Sequence, residues 1–191
     1  MSGEEKPVVK RQEAIIGHYE RSWGTRPQKV DFSEGPIHQL PPDFAVLKFG
    51  PSADRDMWTY STACMSQEGD KKALELHVHS PYETDDVAEL LVATAHYHRT
   101  GAILDLGHSV NFGRPWLNHA RADHGLILLP YLDGPSLEIF NLEGGPIHFY
   151  WLLPITREEI TFKKIHGLEA LETEFDKVGL KYLSPDRGSV V

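Results

Sequence analysis

The stretch ALELHVHSPYETDDVAELLVATAHYHRTG, residues 73–101, decides the fold class. Its first seven residues alternate strictly, so Leu74, Leu76 and Val78 fall on one face of an extended chain and Glu75, His77 and His79 on the other. That pattern predicts a strand with an apolar core face. Thr84 then has the character of an N-cap for a helix running through Arg99. Asp85 and Asp86 favour its positive end, Val87, Leu90 and Leu91 share its buried side, and Gly101 terminates it. The hydrophobic period changes from two residues to 3.6 over a short turn.

Toward the amino terminus, Ile15, Ile16, Tyr19 and Trp23 recur at helical spacing between Pro7 and Gly24, and Phe44–Phe49 and Met57–Met65 read as strands. Toward the carboxyl terminus, Ile103–Val110 predicts a strand that runs into a loop, Asn111–Asn118. Gly125–Leu132 is apolar enough to be a strand buried on both faces. Leu137–Leu142 and Ile147–Pro154 read as further strands around the turn Gly144-Gly145-Pro146. Thr156 and Glu159 have capping-box spacing. Gly167 interrupts the pattern Ile160, Ile165, Leu168, Leu171, Phe175, Val178, which predicts a kink or two short helices. Helix, strands, helix, strands, helix implies an α+β domain in which helices cover a mixed, largely antiparallel sheet. The expected domain spans 11–180, with small, charged or Pro/Gly-containing tails at 1–10 and 181–191 expected to be flexible.

Composition narrows the function classes. With 191 residues, 40% hydrophobic and 25% charged, the chain can bury one substantial core, so disorder is excluded. A net charge of -9 argues against nucleic acid or an anionic membrane as the main partner, because phosphate backbones are bound by clustered Lys and Arg, and it favours a basic protein. The single cysteine, Cys64, allows no internal disulfide and gives no sign of an oxidising compartment; with no signal-like or membrane-length apolar run, a cytoplasmic protein is expected.

The eleven histidines make metal chemistry the first enzyme hypothesis to weigh. Glu75, His77 and His79 share a strand face, a spacing that some metal sites use, and they define the alternative of a metal-dependent hydrolase. A solvent-facing polar strand gives the same alternation, and no further ligand stands at a recognisable spacing. No metal and no cofactor are therefore expected. His96 and His98 project about 200° apart on a helix and read as helix-end residues near the negative terminus. Gly107-His108-Ser109-Val110-Asn111 lacks the last glycine and the following helix of a nucleophile elbow. Cys64, in an apolar strand, reads as a small core residue. No phosphate-cradling or dinucleotide glycine motif occurs. The segment Asn111-Phe112-Gly113-Arg114-Pro115-Trp116 stands out by joining Arg to two aromatics in a loop. Trp116 either enters the core, with Arg114 paired to Asp105 or Asp123, or both anchor an interface.

Several segments, in order, resemble the Suppressor of fused family in its shorter bacterial form. They are Trp58-Thr59-Tyr60-Ser61-Thr62 leading to Met65-Ser66, Ala95-His96-Tyr97-His98-Arg99-Thr100-Gly101, Gly107 through Trp116, Leu128-Leu129-Pro130-Tyr131, Trp151 through Thr156, and Gly167 through Glu172. The likeness spans residues 15 to 178, and the block Gly107–Trp116 is its most specific part. Where the family pattern carries glycine before Met65, this chain has Cys64. The resemblance implies a helix-covered mixed sheet and no catalysis. Animal members sequester a transcription factor by gripping an extended peptide as an added strand between two domains, and the chain is expected to stop where the second would begin. Bacterial members resemble immunity proteins of toxin systems, and an acidic inhibitor suits a basic toxin.

The sequence thus reads as a non-catalytic protein-binding domain that neutralises a cognate toxin, with an adaptor that sequesters a transcription factor as a further alternative. The expected partner-binding face comprises His108, Asn111, Arg114 and Trp116, with Tyr60, Glu75, His77 and His79 as a second surface.

Overall fold

The computed structural model describes residues 7–32 and 35–191. Five helices and eight strands follow one another as α1 (Pro7–Trp23), β1 (Gln28–Lys29), β2 (Ala45–Phe49), β3 (Trp58–Ala63), β4 (Leu74–Ser80), α2 (Asp85–Thr100), β5 (Ser109–Asn111), β6 (His124–Leu128), α3 (Pro135–Glu138), β7 (Ile139–Leu142), β8 (Gly145–Ile155), α4 (Arg157–His166) and α5 (Leu168–Val178). The strands form one sheet in the order β1-β2-β3-β4-β8-β6-β5, with β7 pairing along β8. Among the described residues only β4 and β8 run parallel, Leu74 opposite His148 and His77 opposite Trp151, and the other named pairs are antiparallel. The expected mixed, largely antiparallel sheet is what forms.

β4 sits at the centre, and both of its faces are buried along its whole length. Leu74, Leu76 and Val78 pack with Val87 and Leu91 of α2, Tyr150 and Leu152 of β8, and Trp116. The opposite face is shared by two layers. At one end Ile15, Tyr19 and Trp23 of α1 pack on Leu47, Phe49 and Phe149. At the other, Ile160, Leu171 and Phe175 of α4 and α5 pack on Leu126, Leu128, Trp151 and Leu153. Glu75, His77 and His79 lie on this second face, where the two layers meet. A polar row expected to face solvent is therefore enclosed.

Local chemistry set the helix ends. The Thr84 side chain accepts the Asp86 N–H, and the Gly101 N–H returns to Tyr97 O. Thr156 and Glu159 complete a reciprocal capping box, and Gly167, at φ 93, separates α4 from α5. Gly supplies that backbone angle at no steric cost.

Three expectations need correction, and one strand was not expected. The strand expected over 103–110 is only β5, Ser109–Asn111, because Gly107 at φ 77 turns the chain just before it. The strand expected over 125–132 is β6, His124–Leu128: Pro130 follows, and its carbonyl accepts the Asp133 and Gly134 N–H groups in a tight turn. Pro135–Glu138 is a helical turn, so β7 begins at Ile139. The short β1 carries no alternating pattern long enough to read.

Residues 1–6 lie outside the described residues, and α1 begins at Pro7. Residues 181–191 fold back on the sheet: Arg187 pairs with the wholly buried Glu159 at 2.6 Å, the Val190 N–H reaches the same carboxylate at 3.2 Å, and Tyr182 packs against Trp151.

Candidate functional site

The two sets of expected site residues occupy very different places. The loop after β5 reaches the surface. Gly107 N–H bonds Ile127 O, His108 O accepts from Ile127 N–H and Phe112 N–H bonds Asp123 O, so the ladder bonds to the neighbouring strand are made at 108, 110 and 112, the His108 N–H alone turning back to Asp105 O. By the alternation of an antiparallel ladder, Ser109 and Asn111 turn theirs outward, along an edge that no other described strand covers. His108 and Asn111 are exposed. The Asn111 side chain accepts the Gly113 N–H at 2.8 Å, closing the turn. Between this edge and α2 lies a depression of about 210 Å³ lined by Leu90, Ala93, Tyr97, Val110 and Phe112.

Arg114 and Trp116 resolve separately. Trp116 is 2% exposed and belongs to the α2-side core, which is the structural of its two readings. Arg114 pairs with neither Asp105 nor Asp123. It bonds Asp86 Oδ1 at 2.9 Å, Asp86 O at 3.2 Å and Glu89 Oε2 at 2.7 Å, fastening the loop to the first turns of α2. Asp105 is held by Lys72, and Asp123 by His124 and Arg157.

The second set is internal and cannot be a docking surface in this structure. Tyr60, Glu75 and His77 are 0% exposed and His79 1%. The phenol of Tyr60 accepts the Thr84 N–H at 2.8 Å, tying β3 to the start of α2. Glu75 organises the turn after β3, because its carboxylate accepts from Thr62 Oγ1 at 2.6 Å, Ser66 Oγ at 2.6 Å, Ser66 N–H at 3.0 Å and Met65 N–H at 3.2 Å. Burial raises its pKa, and these donors pull against that. The turn they hold contains Cys64 at φ 63, the left-handed conformation for which glycine is preferred. Burial pushes the Cys64 thiol pKa far up, which suits a core residue and not a nucleophile.

Sequence reasoning missed the partner that joins the histidines. Asp133, from the turn after β6, places Oδ2 3.5 Å from His77 Nε2. Its Oδ1 accepts from Trp23 Nε1 at 2.8 Å and is paired with Arg55. Arg55 also reaches Thr59 Oγ1 at 3.3 Å, which bonds His79 Nδ1 at 3.1 Å. Burial pushes the His77 pKa down to about 4, against the pull of Asp133, and depresses His79 as well. Burial thus favours the neutral form of both rings. The residues converge from α1, β3, β4 and two loops, and no spacing in the chain announces Arg55 or Asp133. Outside this cluster lies a groove of about 520 Å³ lined by Tyr131, Leu132, Trp151, Phe175 and Tyr182, with Glu172 and Asp176 also lining it. Tyr131 is 58% exposed there.

Comparison with known proteins agrees with this architecture. A SUFU (suppressor of fused protein) homologue from Neisseria gonorrhoeae FA 1090 superposes with a TM-score of 0.83 at 32% identity, over 96% of this chain and 98% of its own. A Sufu–Fu complex structure matches at TM-score 0.71 and 16% identity, over 94% of this chain and 92% of that one. Drosophila Suppressor of Fused gives the same score and identity over 96% of this chain but 51% of its own. At that identity the last two show likeness of fold. No curated protein matches in sequence. No described helix is long and apolar enough to cross a membrane. The profile of the Suppressor of fused protein (SUFU) family matches residues 41–188, and with the gonococcal homologue it establishes that this chain belongs to that family.

Proposed function

We propose that this protein is a non-catalytic recognition domain that captures an extended segment of a basic protein, and that the partner is a cognate toxin which it neutralises. One observation carries the reading: the outer edge of β5, where Ser109 and Asn111 present backbone N–H and C=O groups beside the depression between β5 and α2. An added strand takes its affinity from such main-chain groups and its specificity from adjoining pockets. His108 and Asn111 flank that edge, and Arg114, though spent on Asp86 and Glu89, fixes the loop that follows it. The overall charge of -9 favours a basic partner. Glu75 is fully engaged by four donors, so the hydrolase trio of Glu75, His77 and His79 lacks a free carboxylate.

The test is to purify the chain with the products of adjacent genes. A toxin candidate binding at micromolar concentration or tighter is the expected result; failure of all of them to bind removes the toxin reading. Asn111→Pro tests the edge, since its N–H faces away from β6 and proline is tolerated at such a position. Binding falls at least about tenfold if a partner strand pairs there. Unchanged binding by the folded variant excludes β5 as the docking strand.

A further inference from the structure

The row Glu75, His77, His79 divides sharply. Glu75 is saturated, whereas both ring nitrogens of His77 and Nε2 of His79 have no hydrogen-bond partner despite complete enclosure, and Oδ2 of Asp133 beside them has none either. An orphaned buried polar atom has given up its hydration with nothing in return. Three of them, one each from His77, His79 and Asp133, can face one point and call for something between them, an ion or a water, while the second nitrogen of His77 points away from it.

The chemistry of the donor set chooses. One ligand atom from each of His77, His79 and Asp133 lies within 4.8 Å of the other two. The 3.5 Å from His77 Nε2 to Asp133 Oδ2 is long for a hydrogen bond. It is close to the ~3.3–3.4 Å that separates two ligands of a tetrahedral ion with bonds of about 2.0–2.1 Å. Two imidazoles and one carboxylate suit zinc, whereas calcium and magnesium require a shell of oxygens.

We infer that His77, His79 and Asp133 form a binding site for one zinc ion, ligated through His77 Nε2, His79 Nε2 and Asp133 Oδ2. The outer contacts are those that orient metal ligands elsewhere. Thr59 Oγ1 occupies His79 Nδ1 and so directs Nε2 to the ion, while Trp23 Nε1 and Arg55 occupy Asp133 Oδ1 and leave Oδ2 free. The Arg55 charge opposes the cation and lowers affinity, with the carboxylate lying between them. Three protein ligands leave a fourth position for water. Bound zinc would fasten the turn 130–134, which carries Tyr131 and Leu132 on the groove rim, to the centre of the sheet. This inference does not depend on toxin recognition at β5, and either can fail alone.

The experiment titrates zinc into the untagged, chelator-treated full chain against a chromophoric chelator. One equivalent binding with micromolar or tighter affinity is expected, with Tm rising by roughly 5–10 °C at a hundredfold excess over the dissociation constant. His77→Gln, His79→Gln and Asp133→Asn lose at least about tenfold in affinity, while His38→Gln and His166→Gln, at exposed positions, keep it. Cobalt(II) on the unsubstituted chain provides a readout that needs no variant: intense visible bands of four-coordinate geometry are expected. Absence of an equivalent, zinc retained by His79→Gln, loss on substituting His38 or His166, or weak six-coordinate cobalt spectra would each overturn the site and leave a buried water there.

Discussion

At the scale of single residues, side chains that look interchangeable in the sequence have opposite roles. His96 and His98 stand two apart near the end of α2, and both read as helix-end residues favoured by the negative terminus. His96 does lie near the surface, bonding Gln39 Oε1 at 2.9 Å. His98 is buried, and its Nδ1 accepts the Leu104 N–H at 2.9 Å, a role open only to the neutral ring. Burial lowers its pKa below the usual 6.5, with Arg99 lowering it further and Asp70 opposing. A depressed histidine pKa means that the unfolded chain binds the proton more readily. Its stabilising effect is therefore complete above pH 6.5 and is lost as pH falls through the folded value. His98→Asn keeps an acceptor near the Nδ1 position and cannot titrate, so its urea midpoint should fall less steeply than the parent's below pH 6.5. Parallel slopes would show that His98 does not drive the acid sensitivity. Cys64 is a second case: its φ of 63 is one that glycine takes without strain, and here a small thiol accepts it while filling space in the α1-side core.

At the scale of elements, the start of α4 shows a local motif recruited by the tertiary structure. The capping box Thr156/Glu159 was legible from spacing alone, and in isolation such a box satisfies two backbone donors. In the folded chain Glu159 is also the anchor of the carboxyl-terminal segment. Arg187 bonds both of its oxygens, at 2.6 and 3.0 Å, and reaches Pro154 O at 2.9 Å. A carboxylate enclosed to this degree depends on its cation, so Arg187→Met should destabilise by about 3–5 kcal/mol, read as a lowered denaturation midpoint with unchanged slope. Glu159→Gln/Arg187→Met should recover part of that loss. A single variant as stable as the parent would mean that residues 181–191 are not bound to the sheet in solution. The same element-level logic places Gly125. A Cβ there would stand 2.6 Å from both Leu152 Cδ1 and Phe112 Cζ, so glycine in β6 permits the β5 loop to close over the sheet.

For the molecule as a whole, net charge and topology dominate. On the proposed reading, a charge of -9 would steer a basic partner from a distance, and salt screens such attraction beyond about 8–10 Å. Stopped-flow association with the cognate partner should slow at least about tenfold between 50 mM and 500 mM salt, with a smaller change in dissociation. A salt-independent on-rate would leave the acidic balance without a role in recognition. The sequence by itself determined α1, α2, α4 and α5, the strand character of β2 to β4 and β8, the α+β class and the family, because periodicity, caps and turn residues act within a few positions of one another. It also exposed the segment 107–116, whose composition is unusual locally. Only the tertiary structure decided that both faces of β4 are covered, that Trp116 is core, that Arg114 belongs to α2, and that Asp133 and Arg55 meet His77 and His79. The alternation in β4 distinguishes two faces but cannot say what covers the polar one. That depends on Trp23 of α1 and Tyr182 of the carboxyl-terminal segment reaching His77 and His79, and on a turn some fifty residues downstream folding back beside them.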